Sequence, residues 1–219
     1  MNNLKAVILD LDGTLANTLP DLLTGMNLML AFNDFPLTDV NGILRAINYG
    51  SYEFVKRCLP ESKRDDDFVS ARLVDYSRFY SKHYMEKTVA YDGMNDVLRA
   101  LKADGFKLGV LSNKRDDHCN ALVRHLFGDE LFDFILGQTD FLPTKPDPTP
   151  ALYVAEKLGV KPGEVAYVGD SHIDMKTGKG AGMFTIGVSW GYRSVDILLE
   201  NGADMIANTR QDLLKIKDL

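Results

Sequence analysis

Short apolar runs, each bounded by glycine or polar residues, recur along the chain and predict strands. From residue 93 onward, helical patterns separate these runs, and Gly105, Gly128 and Gly159 stand where those helices should end. Runs of this length without polar alternation are typical of strands buried on both faces of a sheet. The alternation therefore predicts βαβ units and an α/β fold with a doubly wound parallel sheet. The strand-like runs are Ala6–Leu9, Leu108–Leu111, Phe134–Leu136, Val165–Val168, Phe184–Val188 and Met205–Ala207.

Residues 15 to 88 show a different pattern, in which apolar positions repeat at helical spacing. Thr18 ahead of Pro20 is typical of a helix start, and the last helix of the segment extends to Tyr84. Two shorter helices are predicted over residues 40–47 and 52–59. We therefore predict a helical-bundle cap over residues 16–88, inserted into an α/β core of residues 1–15 and 89–219, with hinges at the two joints.

Composition narrows the class of protein. The 219 residues are 45% hydrophobic and 26% charged, which is typical of a globular chain and excludes a disordered one. A net charge of −6 disfavours nucleic-acid binding, because phosphate backbones need a basic surface. No apolar run approaches the roughly 20 residues of a membrane span, and the N-terminus lacks the shape of a signal peptide. Cys58 and Cys119 form no disulfide framework, so we expect reduced thiols and a cytoplasmic location, with no nucleic-acid or membrane partner.

Polar residues follow three of the predicted strands. They are Asp10-Leu11-Asp12-Gly13-Thr14, Ser112-Asn113-Lys114, and Gly169-Asp170 with Asp174 shortly after. In an open parallel sheet, ligands bind at the carboxyl ends of the strands, so these groups should meet in one crevice. The alternative, that strands simply end in polar turn residues, fits any one segment but fits all three together poorly.

The paired acids Asp10 and Asp12 suggest a division of labour. Two adjacent carboxylates cannot both stay charged without cost unless a cation neutralises them. One can then serve as an ionised nucleophile and the other can carry a proton. Gly13 permits a sharp turn after the strand. A calcium-binding EF-hand loop is excluded, because its fifth and sixth positions would be Thr14 and Leu15.

The remaining polar residues suggest a cation and an anion seat. Asp170 and Asp174 offer oxygen ligands without a His/Cys cluster, which favours magnesium over zinc, although Asp174 alone also suits a helix start. Ser112 and Asn113 ahead of a helix could hold an anion, or could merely cap that helix. Lys145, between two prolines, could balance charge and grip a phosphate oxygen, although taken alone it reads as a surface lysine.

Taken together and in order, these motifs resemble those of the haloacid dehalogenase superfamily of phosphohydrolases, in the subgroup with a helical cap after the first motif. The motifs are DLDGTL at 10–15, Ser112-Asn113, Lys145 and GDSHID at 169–174. Three segments are most similar to the phosphoglycolate-phosphatase-like subgroup, namely SNK at 112–114, KPDPTP at 145–150 and SWGYR at 189–193. The chain departs from that pattern at Asn17-Thr18, where the subgroup often reads Asp-Ser; we expect this pair to cap the first cap helix.

The resemblance implies a Rossmann-like core and a set of catalytic roles. Asp10 would attack phosphorus and form an aspartyl-phosphate, and Asp12 would protonate the leaving alcohol and later deprotonate water. Mg²⁺ would be held by Asp10, the backbone carbonyl of Asp12, Asp170 and Asp174, the last directly or through water. Lys145 would bridge the phosphate and Asp10.

The resemblance also implies a small phosphorylated metabolite as substrate, with 2-phosphoglycolate as the leading candidate. Its binding residues would be Thr14, Ser112, Asn113 and Arg193, and Tyr49 and Lys56 are candidates in the cap. Two alternatives stay open, namely a sugar phosphomutase of the β-phosphoglucomutase type and a non-catalytic phosphate-binding regulator. A phosphonatase would need a cap lysine such as Lys56, and a dehalogenase would not need Asp12 or magnesium. The sequence does not give the oligomeric state.

Overall fold

A computed structural model describes residues 4–219 of the chain. Its main sheet has six parallel strands in the order β5-β4-β1-β6-β7-β8. This is the strand order of a doubly wound sheet, so the predicted fold class is confirmed. The chain leaves the central strand β1 first toward β4 and later toward β6, which makes the carboxyl end of β1 the topological switch point. The strands are β1 (Ala6–Leu9), β4 (Lys107–Arg115), β5 (Phe134–Gln138), β6 (Val165–Gly169), β7 (Phe184–Val188) and β8 (Met205–Ala207).

Helices alternate with these strands, as the periodicity predicts. Gly128 and Gly159 are the C-caps of α6 and α7, and the positive φ angles of both are easily adopted by glycine. The helices are α5 (Met94–Ala103), α6 (Asp116–Phe127), α7 (Thr149–Leu158), α8 (His172–Gly180) and α9 (Val195–Glu200), with 3₁₀ segments at Pro162–Glu164 and Arg210–Asp218.

One face of the sheet packs against α7. Ile8 of β1 and Tyr167 of β6 are fully buried in the same apolar cluster as Val154 and Ala155 of the helix. Every residue of β1 and β6 is buried, which explains why these strands read as continuous apolar runs rather than as alternating ones. The sheet thus provides a rigid base at whose carboxyl edge the polar residues lie.

Contacts between residues divide the chain into two compact units. One comprises the described residues up to Ala16 together with Ala90–Leu219, and the other is Asn17–Val89. The chain passes between them in two short strands, β2 (Ala16–Asn17) and β3 (Val89–Ala90), which form a two-stranded sheet. The second unit contains α1 (Leu19–Phe32), α2 (Val40–Ala46), α3 (Ser51–Cys58), a 3₁₀ turn (Glu61–Lys63) and α4 (Asp66–His83).

Within the helical unit, α1 and α4 pack closely together. Gly25 lies against the backbone and ring of Tyr80, and that ring stacks on Tyr76 with 5.3 Å between centroids. The fully buried Asp21 accepts hydrogen bonds from the backbone N–H groups of Lys87 and Thr88 at 2.8–3.1 Å and from the Thr88 hydroxyl at 2.9 Å. This carboxylate ties the end of the unit to its first helix.

The structure differs from the sequence-based expectation at several points. β4 continues through Ser112 and Asn113 to Arg115, so the prediction that the strand ends at Leu111 was wrong. The polar residues stay in the strand because Asn113 finds partners there, as described below. β2, β3, α9 and the long 3₁₀ segment were not predicted. At the start of α1, the side chain of Asn17 accepts from Leu19 N at 3.3 Å, while Thr18 makes no side-chain cap bond.

Two further observations concern the whole described chain. Between residues 4 and 219, none of the helices has both the length and the apolar character that crossing a bilayer requires. Cys58 and Cys119 are both free thiols, as expected, and burial raises the pKa of each thiol, to about 12 for Cys58.

Candidate active site

Lys145 lies at the centre of the carboxyl edge of the sheet. Its side chain is buried, and its Nζ donates to Asp10 Oδ1 at 2.8 Å and to Asp174 Oδ1 at 2.7 Å. A third hydrogen bond, of 3.1 Å, goes to the backbone carbonyl of Leu111. One ammonium group therefore joins the end of β1 and the middle of β4 to the first turn of α8.

The backbone of Lys145 is held by Asn113. The side-chain carbonyl of Asn113 accepts from Lys145 N at 2.9 Å, and its amide group donates to the Lys145 carbonyl, also at 2.9 Å. The peptide bond from Lys145 to Pro146 is cis. The Asn113 side chain thus acts within the protein, where it holds the main chain at Lys145.

Asp174 both caps a helix and contacts the lysine. Ser171 is the N-cap of α8, and its hydroxyl accepts from Asp174 N at 3.3 Å. In return, Asp174 Oδ2 accepts from the Ser171 amide at 3.1 Å and from its hydroxyl at 2.5 Å. Asp174 is therefore a helix-start acid, as one of the two interpretations expected, and each of its oxygens already has a donor.

The carboxylate of Asp170 lies close to the main chain at Gly13, Gly191 and Tyr192. Its Oδ2 accepts from Tyr192 N at 2.7 Å, whereas its buried Oδ1 has no hydrogen-bond partner among the described residues. A Cβ at Gly13, where φ is +87°, or at Gly191 would overlap with Asp170. Gly13 is therefore required both for the turn after β1, as predicted, and for the close approach of that turn to the carboxylate.

The acids of this edge fit a small hard cation. Ligand oxygens of Asp10, Asp170 and Asp174 all lie within 4.8 Å of one another, and all three residues are buried. The unpartnered Oδ1 of Asp170 is a further sign, since a buried oxygen without a donor is costly. Carboxylate oxygens without a His or Cys ligand match the preference of Mg²⁺.

The pKa shifts of the buried acids also favour a bound cation. Burial, opposed by Lys145 but reinforced by Asp174 and Asp12, raises the pKa of Asp10 to about 7. Burial and the charges of Asp174 and Asp10 raise the pKa of Asp170 well above its usual value. Although burial alone would lower the pKa of Lys145, its two acidic partners outweigh that effect and raise it well above the usual value. Asp10, Asp170 and Asp174 thus crowd more acidic groups together than the single ammonium group of Lys145 can neutralise. A divalent cation would relieve this excess of negative charge.

Asp12 pairs with a residue that sequence reasoning did not assign. The Nζ of Lys114 lies 3.0 Å from Asp12 Oδ1, an ion pair without hydrogen-bond geometry, and the side chains are only 5% and 11% exposed. Lys114 belongs to the SNK segment that contributes to the resemblance, but the sequence alone gave no role to its side chain.

The predicted binding residues lie nearby but make different contacts. Thr14 is buried, its carbonyl accepts from the indole of Trp190 at 3.1 Å, and its hydroxyl has no partner among the described residues. The buried Ser112 hydroxyl accepts from Lys114 N at 3.2 Å. Arg193 is half-buried, and its charge is a minor influence that lowers the pKa of Asp170.

The two cap candidates are engaged inside the helical unit. The guanidinium of Arg57 stacks 3.8 Å from the centre of the Tyr49 ring. Lys56 Nζ lies 3.4 Å from Asp66 Oδ1, which also accepts from the Tyr52 hydroxyl at 2.7 Å. Their part in substrate binding stays a prediction.

Other residues of the site were also missed by sequence reasoning. Ser171 stands three residues before Asp174, and this capping-box pattern could have been recognised in the sequence. The contacts of Trp190 and Tyr192 could not be predicted from the sequence. They are made by an indole N–H and a backbone N–H, and both depend on how the loop folds in space rather than on a local sequence pattern.

Comparison with known proteins agrees with this geometry. A family model described as haloacid dehalogenase-like hydrolase matches residues 7–188. A phosphoglycolate phosphatase of Nitrosospira multiformis is 32% identical over 216 residues, covering 97% of this chain and 95% of the relative. Another, from Psychrobacter arcticus, is 34% identical over 195 residues, covering 86% and 84%.

A solved structure shares the whole architecture. The crystal structure of a predicted phosphoglycolate phosphatase from Haemophilus somnus superposes with a TM-score of 0.91 at 28% identity and covers 99% of both chains. The family match spans β1 through β7 and contains the acids, the lysines and the Ser112-Asn113 pair of the site. The resemblance read from the motifs is therefore confirmed, and the chain belongs to the haloacid dehalogenase-like hydrolase family.

Proposed function

We propose that this protein is a magnesium-dependent phosphatase that hydrolyses a small phosphomonoester through an aspartyl-phosphate on Asp10. The observation that carries the proposal is the buried cluster in which Lys145 joins Asp10 and Asp174 beside Asp170. Such a cluster suits phosphoryl transfer, which depends on positioning and on neutralising charge more than on unusual covalent chemistry.

The residues divide the reaction between them. A carboxylate oxygen of Asp10 forms a bond to phosphorus as the ester P–O bond breaks, and Asp12 gives its proton to the departing alcohol. Water then attacks the aspartyl-phosphate, Asp12 takes a proton from that water, and inorganic phosphate leaves with Asp10 restored. Lys145 holds Asp10 in place throughout and draws negative charge away from it.

Mg²⁺ would be held by carboxylate oxygens of Asp10 and Asp170 and by the backbone carbonyl of Asp12. Bound there, it would offset the repulsion between an anionic nucleophile and an anionic substrate. Because both oxygens of Asp174 have donors already, we propose that Asp174 acts on the metal through water and mainly orients Lys145 and α8. Thr14, Ser112, the Asn113 backbone and Arg193 would bind phosphate and substrate.

For the substrate we propose 2-phosphoglycolate, because relatives covering nearly the whole chain are named phosphoglycolate phosphatases. We further propose that the helical unit Asn17–Val89 is the cap that selects the substrate, with no nucleic-acid or membrane partner. A cytoplasmic location would follow from a substrate of this kind and from the free thiols.

The test is phosphate release from 2-phosphoglycolate, sugar phosphates, nucleotides and pyrophosphate, with Mg²⁺ and with EDTA. We expect release that requires Mg²⁺ and strongly favours one small ester. Asp10→Asn should abolish it, whereas Asp129→Asn, at an exposed acid paired with Arg124, should leave it unchanged.

The same tubes separate the alternatives. Isomerised sugar phosphate without net phosphate release would identify a mutase and overturn the phosphatase assignment. Substrate binding without turnover of any compound would support the non-catalytic regulator. Wild-type turnover by Asp10→Asn would remove Asp10 as the nucleophile.

A further inference from the structure

We propose that Lys114 is a positioning residue for the proton-transfer carboxylate of Asp12, and that it acts without touching the phosphoryl group. This inference rests on the proposed phosphatase function. The resemblance by motif assigns no role to Lys114, and the reaction as described above does not use it.

The geometry singles out this lysine. Its Nζ is 3.0 Å from Asp12 Oδ1, and the two side chains are 5% and 11% exposed. Its backbone is held as well, because Lys114 N donates to the Ser112 hydroxyl at 3.2 Å. Lys114 lies in β4, next to β1 in the sheet, so the pair links the end of β4 to the turn that follows β1.

The site thus contains two lysines with different acidic partners. Lys145 contacts Asp10 and Asp174, whereas Lys114 contacts Asp12. The nucleophile and the proton carrier are therefore each oriented by their own ammonium group. Such a separation keeps Lys145 on the nucleophile and prevents Asp12 from competing for it.

The chemical consequence concerns the two proton transfers. Asp12 must face the ester oxygen when the alcohol leaves and the attacking water afterwards, and a general acid or base must be held within hydrogen-bond reach of its proton. An ion pair on one carboxylate oxygen leaves the other oxygen to exchange protons. Without Lys114, Asp12 could turn away and both transfers would slow, whereas attack by Asp10 would keep its rate on an ester whose leaving group needs no proton.

The experiment compares an alkyl with an aryl ester. The alkyl ester is 2-phosphoglycolate, or whichever alkyl ester the wild type hydrolyses fastest. The aryl ester is 4-nitrophenyl phosphate, whose nitro group stabilises the leaving phenolate so that no proton need be supplied. Wild type, Lys114→Met and Lys114→Arg are compared in steady state and in the first turnover, with Lys114→Gln as a second neutral variant should the methionine variant not fold.

For Lys114→Met we expect kcat on the alkyl ester to fall about ten- to a hundredfold, part of the usual contribution of acid–base catalysis, with KM unchanged. The rate of 4-nitrophenol release in the first turnover should stay within about twofold of the wild-type rate. The steady-state rate that follows should be lower than that of the wild type, because it reports hydrolysis of the aspartyl-phosphate. Lys114→Arg should recover part of the loss. Lys107→Met, at the exposed start of the same strand, should behave as wild type.

Three outcomes would overturn the inference. Equal losses in the aryl burst and the alkyl turnover would make Lys114 a structural residue or a partner of the phosphoryl group. A raised KM with kcat preserved would make it a substrate contact. Unchanged kinetics would remove it from the reaction. A wild-type protein without phosphatase activity would instead overturn the proposed function, and this role of Lys114 with it.

Discussion

Metal binding at this site depends on individual carboxylate oxygens, and those of Asp170 give the clearest example. One of its oxygens is held by the Tyr192 amide, and the other is buried without a donor among the described residues. A protein without a cation thus leaves one carboxylate oxygen unsatisfied, and a cation would satisfy it. Metal binding should therefore stabilise the folded chain measurably.

We expect saturating Mg²⁺ to raise the Tm of the wild type and not that of Asp170→Asn. At a hundred times the dissociation constant, a ligand stabilises the folded state by about 2.7 kcal/mol, which for a chain of this size is on the order of 5–10 °C. Differential scanning fluorimetry with and without EDTA measures the shift. Trp190, the single tryptophan, donates to the Thr14 carbonyl and offers a fluorescence readout of the same binding.

Asp129→Asn is the matched control for this prediction, because it removes an acid from the exposed surface. An equal Mg²⁺ shift in Asp170→Asn and wild type would show that the cation binds elsewhere.

Gly13 offers a second test at the scale of one residue. Its φ of +87° strains any other residue, and an added Cβ would overlap with Asp170. Gly105 has a similar φ of +90° but nothing within 4 Å, so Gly105→Ala reports the backbone strain alone. We expect Gly13→Ala to lose about 1–3 kcal/mol of stability beyond the control variant, measured by urea unfolding, together with most of the Mg²⁺ response. Similar values for the two variants would show that the turn tolerates a Cβ.

At the scale of elements, the two edge strands of the sheet are attached in the same way. Asp133 precedes β5, its backbone N–H donates to the Leu108 carbonyl at 2.8 Å, and its carboxylate accepts from Leu108 N, also at 2.8 Å. Asp204 precedes β8 and repeats both bonds with Thr185, again at 2.8 Å. Each carboxylate also pairs, at 2.5 Å, with a lysine near the end of the helix that precedes the inner neighbouring strand. In addition to the strand pairing, one aspartate thus fixes the start of each edge strand to the inner neighbouring strand.

This arrangement predicts a pH-dependent stability. Burial acts to raise the pKa of Asp133, but the hydrogen bonds and charges of its partners outweigh that effect and lower it. A lowered pKa means that the stabilisation is complete above the unfolded pKa, about 4, and is lost as the pH falls through the lower folded value. Asp133→Asn should therefore reduce Tm at pH 7 by a few degrees, about 1 kcal/mol for a partly exposed pair, and by progressively less below pH 4. Thermal melts from pH 7 to pH 3 measure this difference, and a penalty independent of pH would contradict it.

The elements also show where sequence reasoning reaches its limit. Periodicity correctly located the six strands of the main sheet and the four longer helices of the helical unit, because burial on both faces of a sheet and on one face of a helix leaves a direct trace in the sequence. It ended β4 too early, because Ser112 and Asn113 look like turn residues unless their partners are known. One of those partners, Lys145, is distant in sequence, so the extension of the strand depends on a tertiary contact.

The site was only partly readable for the same reason. The acids and Lys145 were found because they follow strands or match ordered motifs. Lys114, Tyr192 and Trp190 were missed because their contributions depend on the spatial path of a strand end and a loop. Residues that act through backbone N–H groups leave no side-chain signal, so a sequence alone cannot reveal them.

At the scale of the whole molecule, the chain is a sheet-based unit interrupted by a helical one. The interruption begins and ends in two-residue strands, β2 and β3, so the joints contain little regular structure of their own. A phosphatase must admit its substrate and then exclude bulk water while charge develops on the phosphoryl group. The two joints are therefore the segments in which a response to substrate should be measured.

We therefore expect Mg²⁺ together with orthovanadate, a mimic of the transferring phosphoryl group, to slow amide hydrogen exchange at residues 15–18 and 88–91. Exchange in β7, a strand of the main sheet that is separated from β1 by β6, should change little and serves as the internal reference. Vanadate without Mg²⁺, and the Asp170→Asn variant with both, should leave the joints unprotected, because the anion would then lack its cation. If the joints exchange equally fast in all three samples, the joints do not respond to the active site. Substrate selection would then have to come from the sheet edge itself, through residues such as Arg193.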